Sequence, residues 1–112
     1  MILYHNPRCA KSREAKAILD EAGLEYQIVP YMQEPLSEEA LSHLLQKLDI
    51  PAEQLIRTQE EVWKEEFKDK ELTEPELILA MIEHPRLMER PILETENRAV
   101  IGRPPEKIKE LL

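Results

Sequence analysis

A single cysteine, Cys9, lies in a mostly polar and charged segment, residues 5–13. A thiol becomes reactive when it ionises, and neighbouring cations favour the ionised form. Residues 1–16 contain four cationic residues and one acidic residue, a local formal charge of +3 in a chain of −8: Arg8, Lys11, Arg13, Lys16 and Glu14. The commoner role of a lone cysteine, a small buried apolar side chain, fits these neighbours poorly. We therefore expect a reactive thiol in a site that binds a small anion, with His5 as a group that supports the thiol.

The spacing around Cys9 excludes two familiar thiol motifs. The loop of the tyrosine phosphatases has its arginine six positions after the cysteine, whereas Arg13 follows Cys9 by four. The redox motif Cys-x-x-Cys is absent, because Ser12 occupies the position of the second thiol. Any two-electron reduction by this chain therefore requires an external thiol.

The pattern around Cys9 indicates a strand that passes into a helix. Residues 2–4 are an apolar run ended by Asn6-Pro7, and a helical apolar pattern then extends to Gly23. Residues 26–29 are predicted to be a second strand that ends at Pro30, so residues 1–29 are predicted to form a βαβ unit with parallel strands. The first turn of a helix offers unpaired N–H groups and a positive dipole end, which lower a thiol pKa and attract an oxyanion.

The remainder of the chain is predicted to be a helical segment followed by a hairpin. Ser37 is a candidate N-cap, and two candidate capping boxes follow, Thr58 with Glu61 and Thr73 with Glu76. Residues 92–93 and 99–101 predict an antiparallel hairpin, and a closing helix begins at Pro104. The predicted fold is α/β, one domain over residues 1–112, with a mixed sheet (β-α-β … β-β-α) and a helical insertion at about 37–83.

Composition excludes several classes of protein. One cysteine in 112 residues excludes a disulfide-stapled scaffold, and we expect the chain in the reducing cytoplasm. A net charge of −8 opposes binding to nucleic acid or to an anionic membrane, and no apolar run approaches the roughly twenty residues that span a bilayer. The three histidines share no ligand spacing with Cys9, so neither a metal site nor a bound cofactor is expected.

Four blocks of sequence, in order, carry a resemblance to a known family. They are His5-Asn6-Pro7-Arg8-Cys9, Leu55-Ile56-Arg57-Thr58, residues 84–92 and residues 102–106. By these blocks the chain resembles the arsenate reductases that depend on glutathione and glutaredoxin and have a thioredoxin-like fold. Ala10-Lys11 differs from the Gly-Thr that follows the cysteine in well-marked members.

The resemblance implies a site and a reaction. Cys9 would be the nucleophile that forms a thiol-arsenate adduct, and Arg57, Arg90 and Arg103 would hold the arsenate or a similar oxyanion. Pro91 would be the cis proline beside the thiol. Glutathione would act as co-substrate and glutaredoxin as protein partner.

Two alternatives remain open on the sequence. A monothiol glutaredoxin-like oxidoreductase needs only Cys9, Ser12 and Pro91, and would turn over without arsenate and with little dependence on Arg57 or Arg103. A non-catalytic regulator of the Spx type would bind a protein such as RNA polymerase. Its usual switch is the Cys-x-x-Cys pair, which Ser12 removes.

Overall fold

The computed structural model describes all 112 residues and divides into two compact units. The sheet unit comprises Met1–Glu34 and Arg90–Leu112, and the helical unit comprises Pro35–Glu89. None of the helices combines the length and apolar character needed to cross a lipid bilayer.

The sheet unit contains a four-stranded mixed sheet with the order β2-β1-β3-β4. The strands are β1 (Ile2–Tyr4), β2 (Gln27–Val29), β3 (Ile92–Glu94) and β4 (Ala99–Ile101). Strand β1 is parallel to β2 and antiparallel to β3, and β3 and β4 form the antiparallel hairpin. Helix α1 (Ala10–Glu21) connects β1 to β2, and a 3-10 helix, Pro105–Leu111, closes the chain. The predicted mixed α/β sheet is confirmed.

The core of the sheet unit lies between the sheet and the helices α1 and Pro105–Leu111. Leu3 and Leu93 are fully buried against Ala15 and Leu19 of α1 and against Ile108. Leu3 and Leu93 are paired across β1 and β3, so they lie on one face of the sheet. Ala15 and Leu19 are four residues apart, so they lie on one face of α1. Removal of this apolar surface from water stabilises α1 on the sheet.

The helical unit contains α2 (Glu38–Leu48), α3 (Ala52–Leu55), α4 (Glu61–Glu66) and α5 (Glu74–Glu83), then a 3-10 turn, Pro85–Leu87. The Ser37 hydroxyl accepts a hydrogen bond from the Ala40 N–H at 3.1 Å, as expected of an N-cap. At the start of α5, Thr73 and Glu76 form the predicted reciprocal capping box.

The predicted capping box of Thr58 and Glu61 is wrong. Helix α4 begins at Glu61 after Glu60, and no side chain caps it. The Arg57 N–H donates to the Leu87 carbonyl at 2.7 Å, and the Arg57 carbonyl accepts from the Glu60 N–H at 3.2 Å. The chain is thus still paired with residue 87 where the box would start the helix, and tertiary hydrogen bonds override a local signal.

The strand register brings three loops to one edge of the sheet. Tyr4, the last residue of β1, pairs with Ile92, the first of β3, and Ile92 pairs with Ile101, the last of β4. The segments that follow β1, precede β3 and follow β4 therefore emerge at the same edge. These segments are residues 5–9, 90–91 and 102–104.

Candidate active site

Cys9 is the N-cap residue of helix α1, and the loop before it is fixed by hydrogen bonds. Its N–H donates to the Asn6 carbonyl at 3.0 Å, and its carbonyl accepts from the Arg13 N–H at 3.1 Å. The Asn6 side chain, itself buried, accepts from the Arg8 N–H at 3.1 Å. The Asn6-Pro7 step predicted the end of the first strand, whereas the hydrogen bond of the Asn6 side chain within the loop was not predicted. The loop holds the thiol at the helix N-terminus.

The surroundings of the Cys9 sulfur favour its thiolate. Partial burial on its own raises the pKa of the thiol. Hydrogen bonds to the sulfur from the Ser12 N–H, the Arg90 side chain and the Lys11 N–H outweigh that effect, and the pKa of Cys9 falls to about 7. The two N–H groups belong to the first turn of α1, where backbone donors have no partner within the helix. A large fraction of Cys9 is therefore ionised at neutral pH.

Arg90 and Arg103 both direct their guanidinium groups to Cys9. The Nη2 of Arg103 lies 3.9 Å from the sulfur, and its Nε donates to the Arg90 carbonyl at 2.7 Å. The Arg90 side chain forms the hydrogen bond that helps to lower the thiol pKa. The peptide bonds Arg90-Pro91 and Arg103-Pro104 are both cis. Two of the three arginines nominated from the sequence, and the cis proline, therefore belong to the Cys9 edge of the sheet.

Gly102 holds the Arg103 segment against Pro91. Its N–H donates to the Pro91 carbonyl at 2.8 Å. A Cβ atom at Gly102 would lie 2.9 Å from Pro91 Cγ and 3.1 Å from Ile108 Cγ2, so only glycine permits this approach without displacement. A glycine directly before a nominated arginine, in a chain with two glycines, was the signal that sequence reasoning left unused.

Ser12 and His5 are buried beside the loop. Ser12 is fully buried, and its hydroxyl accepts from the Asn6 N–H at 3.4 Å. Burial lowers the pKa of His5, the charges of Lys16 and Arg13 lower it further, and a hydrogen bond with the Ser12 backbone acts in the opposite direction. His5 therefore carries less positive charge near neutral pH than an ordinary histidine. Its Nδ1 is buried without a hydrogen-bond partner.

Arg57, the third nominated arginine, belongs to the helical unit. It lies between α3 and α4, and its N–H donates to the Leu87 carbonyl. Its Nη1 atom is buried without a hydrogen-bond partner. No cluster of three or more histidine, cysteine, aspartate or glutamate side chains in the chain is placed to hold a metal ion.

A nucleophilic sulfur beside two fixed guanidinium groups is suited to a small oxyanion. Comparison with known proteins identifies the family: the model of the ArsC family matches residues 4–111. The chain belongs to the ArsC family. The resemblance drawn from the four sequence blocks is thereby confirmed.

Relatives of this ArsC family member match along their length. An arsenate reductase of Haemophilus influenzae is 41% identical over 114 residues, which cover 100% of this chain and 98% of that protein. The uncharacterized protein YfgD of Escherichia coli K12 is 44% identical over 112 residues, covering 98% and 94%. The structure of an arsenate reductase from Vibrio cholerae superposes with a TM-score of 0.94 at 41% identity, covering 99% and 96% of the two chains. The thioredoxin-like α/β fold is thereby confirmed.

Proposed function

We propose that this ArsC family member reduces arsenate to arsenite through a covalent adduct on Cys9, with glutathione and glutaredoxin as reductants. The observation that carries the proposal is the environment of the Cys9 thiol, whose pKa is about 7. Its sulfur accepts a hydrogen bond from the Arg90 side chain and lies 3.9 Å from Arg103 Nη2. The relationship to the Haemophilus influenzae arsenate reductase supports the same substrate.

The first step joins sulfur to arsenic. Arsenate carries one or two negative charges near neutral pH and repels a thiolate, so fixed cations must stabilise the encounter. Arg90 and Arg103 supply permanent charge and paired N–H donors for adjacent arsenate oxygens. The Cys9 sulfur forms a bond to arsenic while one arsenate oxygen takes up protons and leaves as water. Arsenic remains pentavalent in the adduct.

The second step reduces arsenic. The thiolate of glutathione attacks the Cys9 sulfur, the sulfur–arsenic bond breaks, and its electron pair remains on arsenic. Trivalent arsenite leaves, and Cys9 is left in a disulfide with glutathione. A thiol of glutaredoxin then attacks the glutathione sulfur and restores the Cys9 thiolate. The external thiols are required because Cys9 is the only cysteine of the chain.

Four further features belong to the proposal, and the first two rest on the resemblance. Arg57 is a third oxyanion ligand, in addition to Arg90 and Arg103. Pro91 shapes the loop beside the thiol, and no cofactor is bound during the cycle. The enzyme works in the reducing cytoplasm, where glutathione keeps thiols reduced.

The test is the oxidation of NADPH coupled through glutathione reductase, glutaredoxin and glutathione, with and without arsenate. We expect an arsenate-dependent rate for the native chain and none for Cys9→Ser. Equal rates with and without arsenate would reject arsenate reduction and favour the monothiol oxidoreductase. The absence of any turnover under both conditions would favour the non-catalytic regulator.

A further inference from the structure

The four cationic side chains near the start of α1 differ in what they contact. Arg13 Nη1 donates to the Pro7 carbonyl at 2.9 Å, which joins α1 to the loop before Cys9. Lys16 Nζ lies 2.8 Å from an oxygen of Asp20, one turn further along the helix. Both of these cations already have partners within the fold.

Arg8 and Lys11 are available to a ligand. The Arg8 side chain is exposed and has no ion-pair partner. Lys11 Nζ lies 3.8 Å from Glu14, in an ion pair whose side chains are 47% and 56% exposed, and such pairs are weak in water. Arg8 directly precedes Cys9, and the Lys11 N–H bonds to its sulfur. The two available cations therefore flank the reactive thiol.

In the reduction step, the side of the Cys9 sulfur that carries arsenic differs from the side that the reducing thiol must approach. Arg90 and Arg103 approach the sulfur from the loops before β3 and after β4. In the proposed adduct, arsenic would therefore lie on the side of the sulfur that these donors face. A thiol that displaces arsenic from sulfur must approach in line, from the side opposite arsenic. That approach belongs to the second substrate, and the exposed cations Arg8 and Lys11, one residue before and two residues after Cys9, are available to it.

We infer that Arg8 and Lys11 form a subsite for the two carboxylates of glutathione, and so determine the choice of reducing thiol. This inference rests on the proposed function. Glutathione has the length of a tripeptide, so its carboxylates lie within roughly 10 Å of its sulfur. Long side chains on the residue before Cys9 and on the second residue after it are matched to that span. The basic subsite in a chain of −8 favours a small anion over a polyanion.

The first experiment measures the reaction of Cys9 with two disulfides by mass spectrometry, in the absence of arsenate. Oxidised glutathione transfers a glutathione group to the Cys9 thiolate and releases glutathione thiolate, whereas 2-hydroxyethyl disulfide does the same with an uncharged group. We divide the rate with oxidised glutathione by the rate with 2-hydroxyethyl disulfide. We expect this ratio to fall about tenfold in the double variant Arg8→Gln with Lys11→Gln, because two exposed charge contacts with glutathione are lost. The ratio removes any change in thiol pKa, since that change affects both rates equally.

Arg98→Gln is the matched control. Arg98 is exposed and lies in the β3–β4 turn, at the end of the sheet opposite Cys9. Its replacement removes one positive charge from the same unit, half of the charge that the double variant removes. We expect this variant to keep the native ratio. An unchanged ratio in the double variant, or an equal fall in Arg98→Gln, would overturn the subsite.

The second experiment varies glutathione and arsenate separately in the coupled assay. In the double variant we expect the KM for glutathione to rise about tenfold while the KM for arsenate stays within twofold. A rise in the KM for arsenate alone would overturn the inference, because the cations would then serve the oxyanion. Loss of arsenate dependence in the native chain would reject the proposed function, whereas the disulfide ratio would still decide the subsite.

Discussion

The Nη2 of Arg103 lies 3.9 Å from the sulfur of Cys9, although 94 positions separate the two residues in sequence. The same guanidinium donates through Nε to the Arg90 carbonyl at 2.7 Å, which fixes the plane of the fork. The Arg90 side chain also donates a hydrogen bond to the sulfur, so Cys9, Arg90 and Arg103 form one hydrogen-bonded group. A change to one of them should therefore alter both the ionisation of the thiol and the binding of the oxyanion.

Arg103→Lys should lower kcat/KM for arsenate by roughly 100-fold, the usual effect of losing one donor to a developing oxyanion. The substitution keeps the positive charge but removes both the planar fork and the Nε bond to the Arg90 carbonyl. The coupled NADPH assay measures the loss, with Arg98→Lys as the control for an arginine outside the site. Activity within threefold of native in Arg103→Lys would show that charge alone is sufficient.

The reactivity of Cys9 should follow its lowered pKa. The thiolate is the reactive form, so the rate of alkylation by iodoacetamide should be high above pH 7 and fall below it, with a midpoint at about 7. Replacement of Arg90 by Gln removes a hydrogen bond and a charge that favour the thiolate, and should move the midpoint upward. A native midpoint at the ordinary thiol value of about 8.5 would contradict this account.

The two glycines of the chain offer a matched pair of substitutions. Gly102→Ala places a Cβ 2.9 Å from Pro91 Cγ and should lower the free energy of unfolding by about 1–3 kcal/mol and reduce arsenate turnover. Gly23→Ala meets no atom within 4 Å but has a φ of +70°, so it should lose roughly 1 kcal/mol from the backbone alone. Urea unfolding measures the loss of stability in each variant, and the coupled assay measures the loss of arsenate turnover.

The activity of the two glycine variants decides whether Gly102 positions the site. We expect Gly23→Ala to keep native activity, because Gly23 ends α1 far along the helix from Cys9. Gly102→Ala should lose activity under conditions where it remains folded, because Arg103 follows directly. Equal activity in both variants at equal stability would mean that the contact between Gly102 and Pro91 serves only the core.

Local signals in the sequence predicted those parts of the fold that depend on neighbours. Ser37 and the Thr73 capping box begin their helices as expected, because each bond closes within three residues. The Thr58 box does not form, because Arg57 is paired with Leu87, and no pattern in residues 58–61 reports that distant partner.

For the site, too, local sequence patterns predicted only the features that depend on neighbouring residues. The helix N-terminus at Cys9 followed from residues 1–16. The convergence of Arg90 and Arg103 depends on the pairing of Tyr4 with Ile92 and of Ile92 with Ile101. Spacing along the chain contains no such register, and only the family resemblance pointed to those arginines. The close approach at Gly102 likewise required coordinates, because it depends on the position of Pro91.

Arg57 is the remaining arginine proposed to hold arsenate. Its Nη1 is buried without a hydrogen-bond partner, an arrangement that carries a desolvation cost unless a ligand supplies an acceptor. If Arg57 holds arsenate, Arg57→Gln should lower kcat/KM for arsenate by at least tenfold and leave the reaction of Cys9 with oxidised glutathione unchanged. Arg86→Gln, which replaces a largely exposed arginine of the same helical unit, is the control. A native rate with arsenate in Arg57→Gln would restrict the oxyanion ligands to Arg90 and Arg103, and a fall in both reactions would indicate a structural role instead.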